Sequence, residues 1–142
     1  MIKLAFIGAG STIFAKNVLG DVMLTSSLSN SQIALYDIDM ERLHESEKML
    51  NNINENSNNE RAKTTSYTNR KEALKDANFV VNAIQAGGYE PCTVIDFEIP
   101  RKHGLRQTIA DALGIGGIFR GLRTISVMLE IATDMEEVCP NA

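Results

Sequence analysis

Gly8-Ala9-Gly10 follows an apolar run and opens a helical one, a placement that can hold a phosphate. Backbone N–H groups and the positive end of the helix then point at whatever lies above the turn. Gly8 permits the tight turn, Gly10 lets a pyrophosphate approach the backbone, and Ser11 or Thr12 is placed to cap the helix. Ile13 stands where G-x-G-x-x-G has its third glycine, and a plain β-to-α turn carries the same two glycines. Asp37 adds to the case, because it ends a second apolar run somewhat beyond the usual spacing of ~20 residues. A carboxylate there accepts hydrogen bonds from ribose hydroxyls and repels a 2′-phosphate, which favours NAD over NADP. A strand-end acid or helix cap is the alternative reading of Asp37.

Two further groups come later in the chain. Asn82, Gln85, Gly87 and Gly88 follow a strongly apolar run, where the nicotinamide end of such a cofactor would pass; Asn82 reads equally as a satisfied buried amide. Gln107-Thr108-Ile109-Ala110-Asp111, with Gly114, Gly116, Gly117, Arg120 and Arg123, reads either as the lining of a polar cleft or as a surface turn and solvated helix face. His44 and His103 lie in charged sequence and read as surface side chains. Cys92 has no evident base beside it.

The elements that must position these groups alternate in type. Residues 2–7, 33–37, 63–68 and 79–84 read as strands, the third the weakest and the fourth the most apolar. Helical patterns follow at Phe14, Val18 and Val22, and at Met40, Leu43, Leu50 and Ile53. A short helix is expected over residues 70–75. Residues 51–60 hold asparagines at 51, 52, 54, 56, 58 and 59 and read as a frayed helix end and surface loop. Residues 89–114 read as irregular, and a long helix then carries Leu122, Ile125, Leu129 and Ala132 on one side. Such βα alternation implies a Rossmann-like, doubly wound parallel sheet whose ligand lies at the carboxyl ends of the strands. The whole of 1–142 is read as one such domain.

An apolar fraction of 44%, a charged fraction of 23% and a net charge of −4 fit a soluble globular chain and argue against a nucleic-acid partner. No secretory signal and no run of the ~20 apolar residues needed to cross a bilayer is present, so a cytoplasmic protein is expected. Cys92 and Cys139 are too far apart for a C-x-x-C site and read as free thiols.

Phe6 to Thr12, Asp37-Ile38-Asp39 with Arg42-Leu43, Asn82 to Gly88, and Gln107 to Arg123 together resemble glycoside hydrolase family 4, along the whole chain. The block Gly116-Gly117-Ile118-Phe119-Arg120-Gly121-Leu122-Arg123-Thr124-Ile125 is the most distinctive part. The resemblance implies an NAD- and manganese-dependent glycosidase that cleaves by oxidation, elimination, addition and reduction rather than by the usual pair of carboxylates. Gly8, Gly10, Ser11, Thr12, Asp37, Arg42, Asn82 and Gln85 are the implied cofactor positions. Asp111 matches an acidic position that increases the basicity of a catalytic tyrosine. Ala110 and Ala112 depart from the usual glycine and threonine around it. The run 109–114 is that of members acting on non-phosphorylated α-glycosides, so a small-molecule α-glycoside is the expected substrate, with no membrane partner and a homo-oligomer at full length. The metal ligands, the acid and the tyrosine are expected beyond residue 142, so 1–142 alone is expected to be inactive. A 2-hydroxyacid dehydrogenase of the lactate or malate type shares this domain, but the glycine-arginine block argues against it; an isolated NAD-binding module is the other alternative.

Overall fold

Leu4, Ala5, Phe6 and Ile7 are all buried in strand β1 (Lys3–Ile7). A continuous apolar run is what a parallel strand covered on both faces requires, and β1 is an inner strand. Its neighbours are β2 (Gln32–Tyr36) and β4 (Phe79–Asn82), and β3 (Lys63–Tyr67) completes the parallel order β3-β2-β1-β4. The register pairs Ile7 with both Tyr36 and Asn82, so the carboxyl ends of these three strands finish level. The computed structural model describes residues 1–108 and 114–142. They form two compact units, Met1–Ile84 with Asp134–Ala142, and Gln85–Thr133.

In the first unit α1 (Thr12–Leu24) and α2 (Met40–Asn58) carry the chain from β1 to β3 and pack against each other. α3 (Arg70–Leu74) contacts β1, β2 and β3 on the way back to β4. That return reverses the lateral direction, so a right-handed crossover puts α3 on the opposite face from α1 and α2. The expected stripe on α1 is displaced by one residue. Ala15, Leu19 and Met23 are buried, Val18 and Val22 flank them, and Phe14 is 62% exposed. The small Ala15 lets the start of the helix approach the sheet closely, which turns Phe14 outward.

The asparagine-rich stretch is not a loop. α2 continues through it to Asn58, and Asn54 and Asn58 are buried. Asn54 donates to Ala62 O (2.8 Å) and accepts from Ala62 N (3.1 Å), while Asn58 donates to Ser29 O (2.7 Å). These amides satisfy backbone groups beside two strand entrances, so their polarity serves the interior.

In the second unit an irregular helical turn, Gly88–Thr93, leads into α4 (Val94–Lys102), so the stretch read as irregular contains a helix. α5 runs over Ile115–Val138, its part up to Thr133 belonging to this unit. Its expected apolar side is exposed: Leu122 by 71%, Ile125 by 55% and Leu129 by 63%. The helix instead buries the side that carries Gly116 and Ile131.

Candidate functional site

The turn after β1 is pinned from two sides. Gly8 N and Ala9 N both donate to Tyr36 O, at 2.9 and 3.1 Å. Gly8 has φ +91°, and a Cβ there would lie 2.8 Å from the Ala83 carbonyl carbon and oxygen, so only glycine fits. Gly10 N donates to Asp37 Oδ2 at 2.7 Å, and Asp39 N donates to Asp37 Oδ1 at 2.9 Å. The half-buried carboxylate is thereby held beside the glycine turn, with further lone pairs left on each oxygen. A Cβ on Gly10 would lie 2.8 Å from that Oδ2, so the second glycine makes room for the acid as well.

The helix starts of this unit differ in one respect. Asp39 caps α2 by accepting from Glu41 N and Arg42 N, both at 3.1 Å, and Asn69 caps α3 by accepting from Lys71 N at 2.9 Å. Ser11 is the N-cap residue of α1 but makes no side-chain cap hydrogen bond, contrary to the capping expected of it or of Thr12. The first intrahelical bond of α1 is Ala15 N to Ser11 O at 2.9 Å, which leaves Ile13 N and Phe14 N without an acceptor inside the helix. An uncapped helix start at a glycine turn is suited to an anion. Ile13 is 73% exposed, so the missing third glycine costs no close packing; Ala9 and Ala15 are fully buried in the core.

The structure brings Gly8, Gly10, Ser11, Thr12 and Asp37 together at the carboxyl edge of the sheet. Asn82 joins them through its register with Ile7 and accepts from Ile84 N at 3.2 Å, so it is half-buried and locally bonded. Arg42 is exposed in the first turn of α2. Gln85 opens the second unit, where its Nε2 donates to Thr93 Oγ1 at 2.9 Å. Asp111 lies outside the described residues. His44 and His103 are exposed, as the surface reading of them requires.

Sequence reasoning missed the second unit's main polar contact. Asp96 is 1% exposed and takes both arms of the Arg123 guanidinium, Nη1 to Oδ1 at 2.8 Å and Nη2 to Oδ2. These hydrogen bonds raise the Arg123 pKa above its ordinary value. Arg123 is therefore spent within the protein rather than solvated or free for a ligand. Gly87 belongs to the same cluster: with φ +84°, it leaves room for the Cys92 side chain, which a Cβ there would strike. The available signal was a lone acid between Ile95 and Phe97, two apolar neighbours. Gln107 Oε1 accepts from Gly116 N at 3.1 Å and so caps the start of α5. Among the described residues no three histidine, cysteine or acidic side chains gather as a metal site, and no helix is long and apolar enough to cross a membrane.

Known proteins resemble this chain in sequence and fold. The chain is 63% identical to an alpha-galactosidase of Bacillus subtilis (strain 168), over 100% of this chain and 33% of that protein. It is 37% identical to an alpha-galacturonidase of Thermoanaerobacter italicus, over 99% of this chain and 30% of that protein. The crystal structure of a 6-phospho-alpha-glucosidase from gut microorganisms, in complex with NAD and Mn2+, superposes with a TM-score of 0.84 at 26% identity, over 99% of this chain and 31% of that one. The chain thus spans about a third of the length of the curated relatives it matches. Residues 3–142 match the family described as family 4 glycosyl hydrolase, and the chain belongs to that family.

Proposed function

We propose that residues 1–142 form the NAD-binding portion of an α-galactosidase. The observation that carries this reading is the uncapped start of α1 beside a carboxylate locked to Gly10 N. The turn and the N–H groups of Ile13 and Phe14 offer donors to a pyrophosphate, and the free lone pairs of Asp37 accept from the adenosine ribose. Ser11 and Thr12 flank the phosphates, Arg42 lies beyond the ribose, and Asn82 lies towards the nicotinamide end. The bound cofactor supplies reversible hydride acceptance at a sugar carbon. Asp111 acts through a tyrosine outside this chain by raising its basicity, and the Mn2+ ligands also lie outside this chain. The high identity to the Bacillus subtilis enzyme supports α-galactosides over α-glucosides as substrates, and a pyridine nucleotide cofactor fits a cytoplasmic enzyme.

The test is calorimetric titration of the purified chain with NAD+ and NADP+. The chain is expected to bind NAD+ and to prefer it. Asp37→Ala is expected to keep the fold while losing about 10- to 100-fold in NAD+ affinity, the range for a hydrogen bond to a charged group. Equal NAD+ affinity in the two proteins would remove Asp37 from the site. Absence of NAD+ binding to the wild-type chain would remove the cofactor reading itself.

A further inference from the structure

We infer that Asp39 is a positioning residue for the cofactor: through its cap on α2 it holds the Asp37 carboxylate ready for the two ribose hydroxyls. The inference rests on the reading of Asp37 as the ribose acceptor. Asp37 follows β2 directly, and its carboxylate is held between two donors, Gly10 N at 2.7 Å on Oδ2 and Asp39 N at 2.9 Å on Oδ1. The first donor belongs to the glycine turn, which is itself pinned to Tyr36 O. The second is only as fixed as the start of α2. Burial does little to fix that start. Ile38 is 90% exposed, although it stands where a hydrophobic staple to Leu43 would form, and Met40 is exposed as well. Asp39 itself supplies the hold. Its Oδ1 accepts from Glu41 N and Arg42 N, both at 3.1 Å, and its carbonyl accepts from Leu43 N at 3.0 Å. Leu43 is fully buried in the core, so the bonds run from the core through Asp39 to the Asp37 carboxylate. Arg42, the other residue read on the ribose side, is tied by its backbone to the same oxygen.

Asn69 offers an internal comparison. It caps α3 by the same pattern, accepting from Lys71 N at 2.9 Å and Glu72 N at 3.4 Å. The residue two before it is Tyr67, however, so this cap bears on no carboxylate. Loss of either cap should cost a similar amount of stability, but only loss of the Asp39 cap frees a group that meets the ligand. The hold matters because two vicinal hydroxyls must meet both carboxylate oxygens at once. A carboxylate that is free to turn has to be ordered as the ribose arrives, and that ordering is subtracted from the affinity. The penalty falls hardest on a ligand that carries both hydroxyls.

The test is calorimetry of the purified chain with NAD+ and with NAD+ lacking the 2′-hydroxyl of its adenosine. Asp39→Ala should lose about 3- to 10-fold in NAD+ affinity, the range for ordering one more side chain on binding. Its preference for NAD+ over the deoxy form should shrink. Asp39→Asn keeps an oxygen that caps equally well, so it should retain both the affinity and the preference. Asn69→Ala should show a lowered urea midpoint, as Asp39→Ala does, yet bind NAD+ like the wild type. Without cofactor, amide exchange at Gly10 should quicken about fivefold in Asp39→Ala and stay unchanged in Asn69→Ala. The inference is overturned by wild-type NAD+ affinity or an undiminished preference in Asp39→Ala, by an equal loss in Asn69→Ala, by failure of Asp39→Asn to restore binding, or by unaltered Gly10 exchange. Each of these leaves wild-type NAD+ binding intact. Absence of wild-type binding would instead remove the cofactor reading and this inference with it, so the two failures are told apart.

Discussion

At the carboxyl end of the sheet Gly8, Gly10 and Asp37 hold one another through backbone N–H groups and one carboxylate, whereas at the amino end long side chains reach for backbone carbonyls. Lys3 Nζ donates to Lys75 O (2.6 Å), Asn58 Nδ2 to Ser29 O (2.7 Å) and Asn54 Nδ2 to Ala62 O (2.8 Å). The difference follows from the direction of the elements. In a parallel βα unit every helix starts at one end of the sheet and stops at the other, so spare N–H donors collect at the carboxyl end and spare carbonyls at the amino end. The amino end is closed by the chain's own donors. At the carboxyl end α2 and α3 are closed by their caps, and α1 alone of the three is left open. The candidate site thus lies where one helix start goes unsatisfied by the protein.

Gly8→Val should show the largest effect, because it strikes the carboxyl end where structure and site coincide. Its Cβ would meet the Ala83 backbone at 2.8 Å, in a backbone conformation of φ +91° that a β-branched residue resists. A loss of about 3 kcal/mol or more in urea unfolding is expected, with loss of NAD+ binding. Wild-type stability would mean that the turn is held elsewhere.

Asn58→Ala should separate the two ends. It removes a buried amide that bonds to Ser29 O and to Asn54 Oδ1 (2.9 Å), leaving Ser29 O without that donor and Asn54 Oδ1 with Ala62 N alone. The expected cost is about 1–3 kcal/mol, with NAD+ affinity in calorimetry unchanged in the folded protein. A parallel fall in affinity would show that the amino end shapes the site, and the contrast drawn above would fail.

This contrast also explains what could be read from the chain. The first strand, the glycine turn and Asp37 are local patterns: an apolar run, a backbone need at Gly8, and an acid at a strand end. They were legible, as was the parallel alternation. The role of Asn58 depends on a carbonyl 29 residues away in sequence, and that of Asp96 on an arginine 27 residues away. Neither separation leaves a periodic trace, so a buried polar helix end reads as a loop and a buried acid goes unnoticed. On α1, Phe14 belongs to an apolar repeat yet borders the open helix start, where exposure prevails over the pattern. On α5 the repeat was seen, but apolar residues spaced at helical intervals do not say whether their cover lies within the chain.

Cys139 and Lys3 provide the smallest test, at the amino end. Burial raises the Cys139 pKa above the ordinary 9.0, and burial lowers that of Lys3 below 10.5 despite the nearby Asp76. A raised thiol pKa means that the folded chain holds its proton while the unfolded chain gives it up. The stability this contributes is fully present below the ordinary thiol value and is lost as pH rises through the folded one. Lys3 works the other way: its burial penalty is relieved as pH rises from its lowered value towards the ordinary one. Cys139→Ala removes the first contribution, together with the thiolate's upward pull on Lys3. Unfolding free energies measured from neutral pH to above the ordinary thiol value of 9.0 should therefore move in the variant's favour, relative to wild type, as pH rises. Parallel profiles would show that the thiol titrates alike folded and unfolded, and that its burial among Lys3 and Asp76 is electrostatically silent.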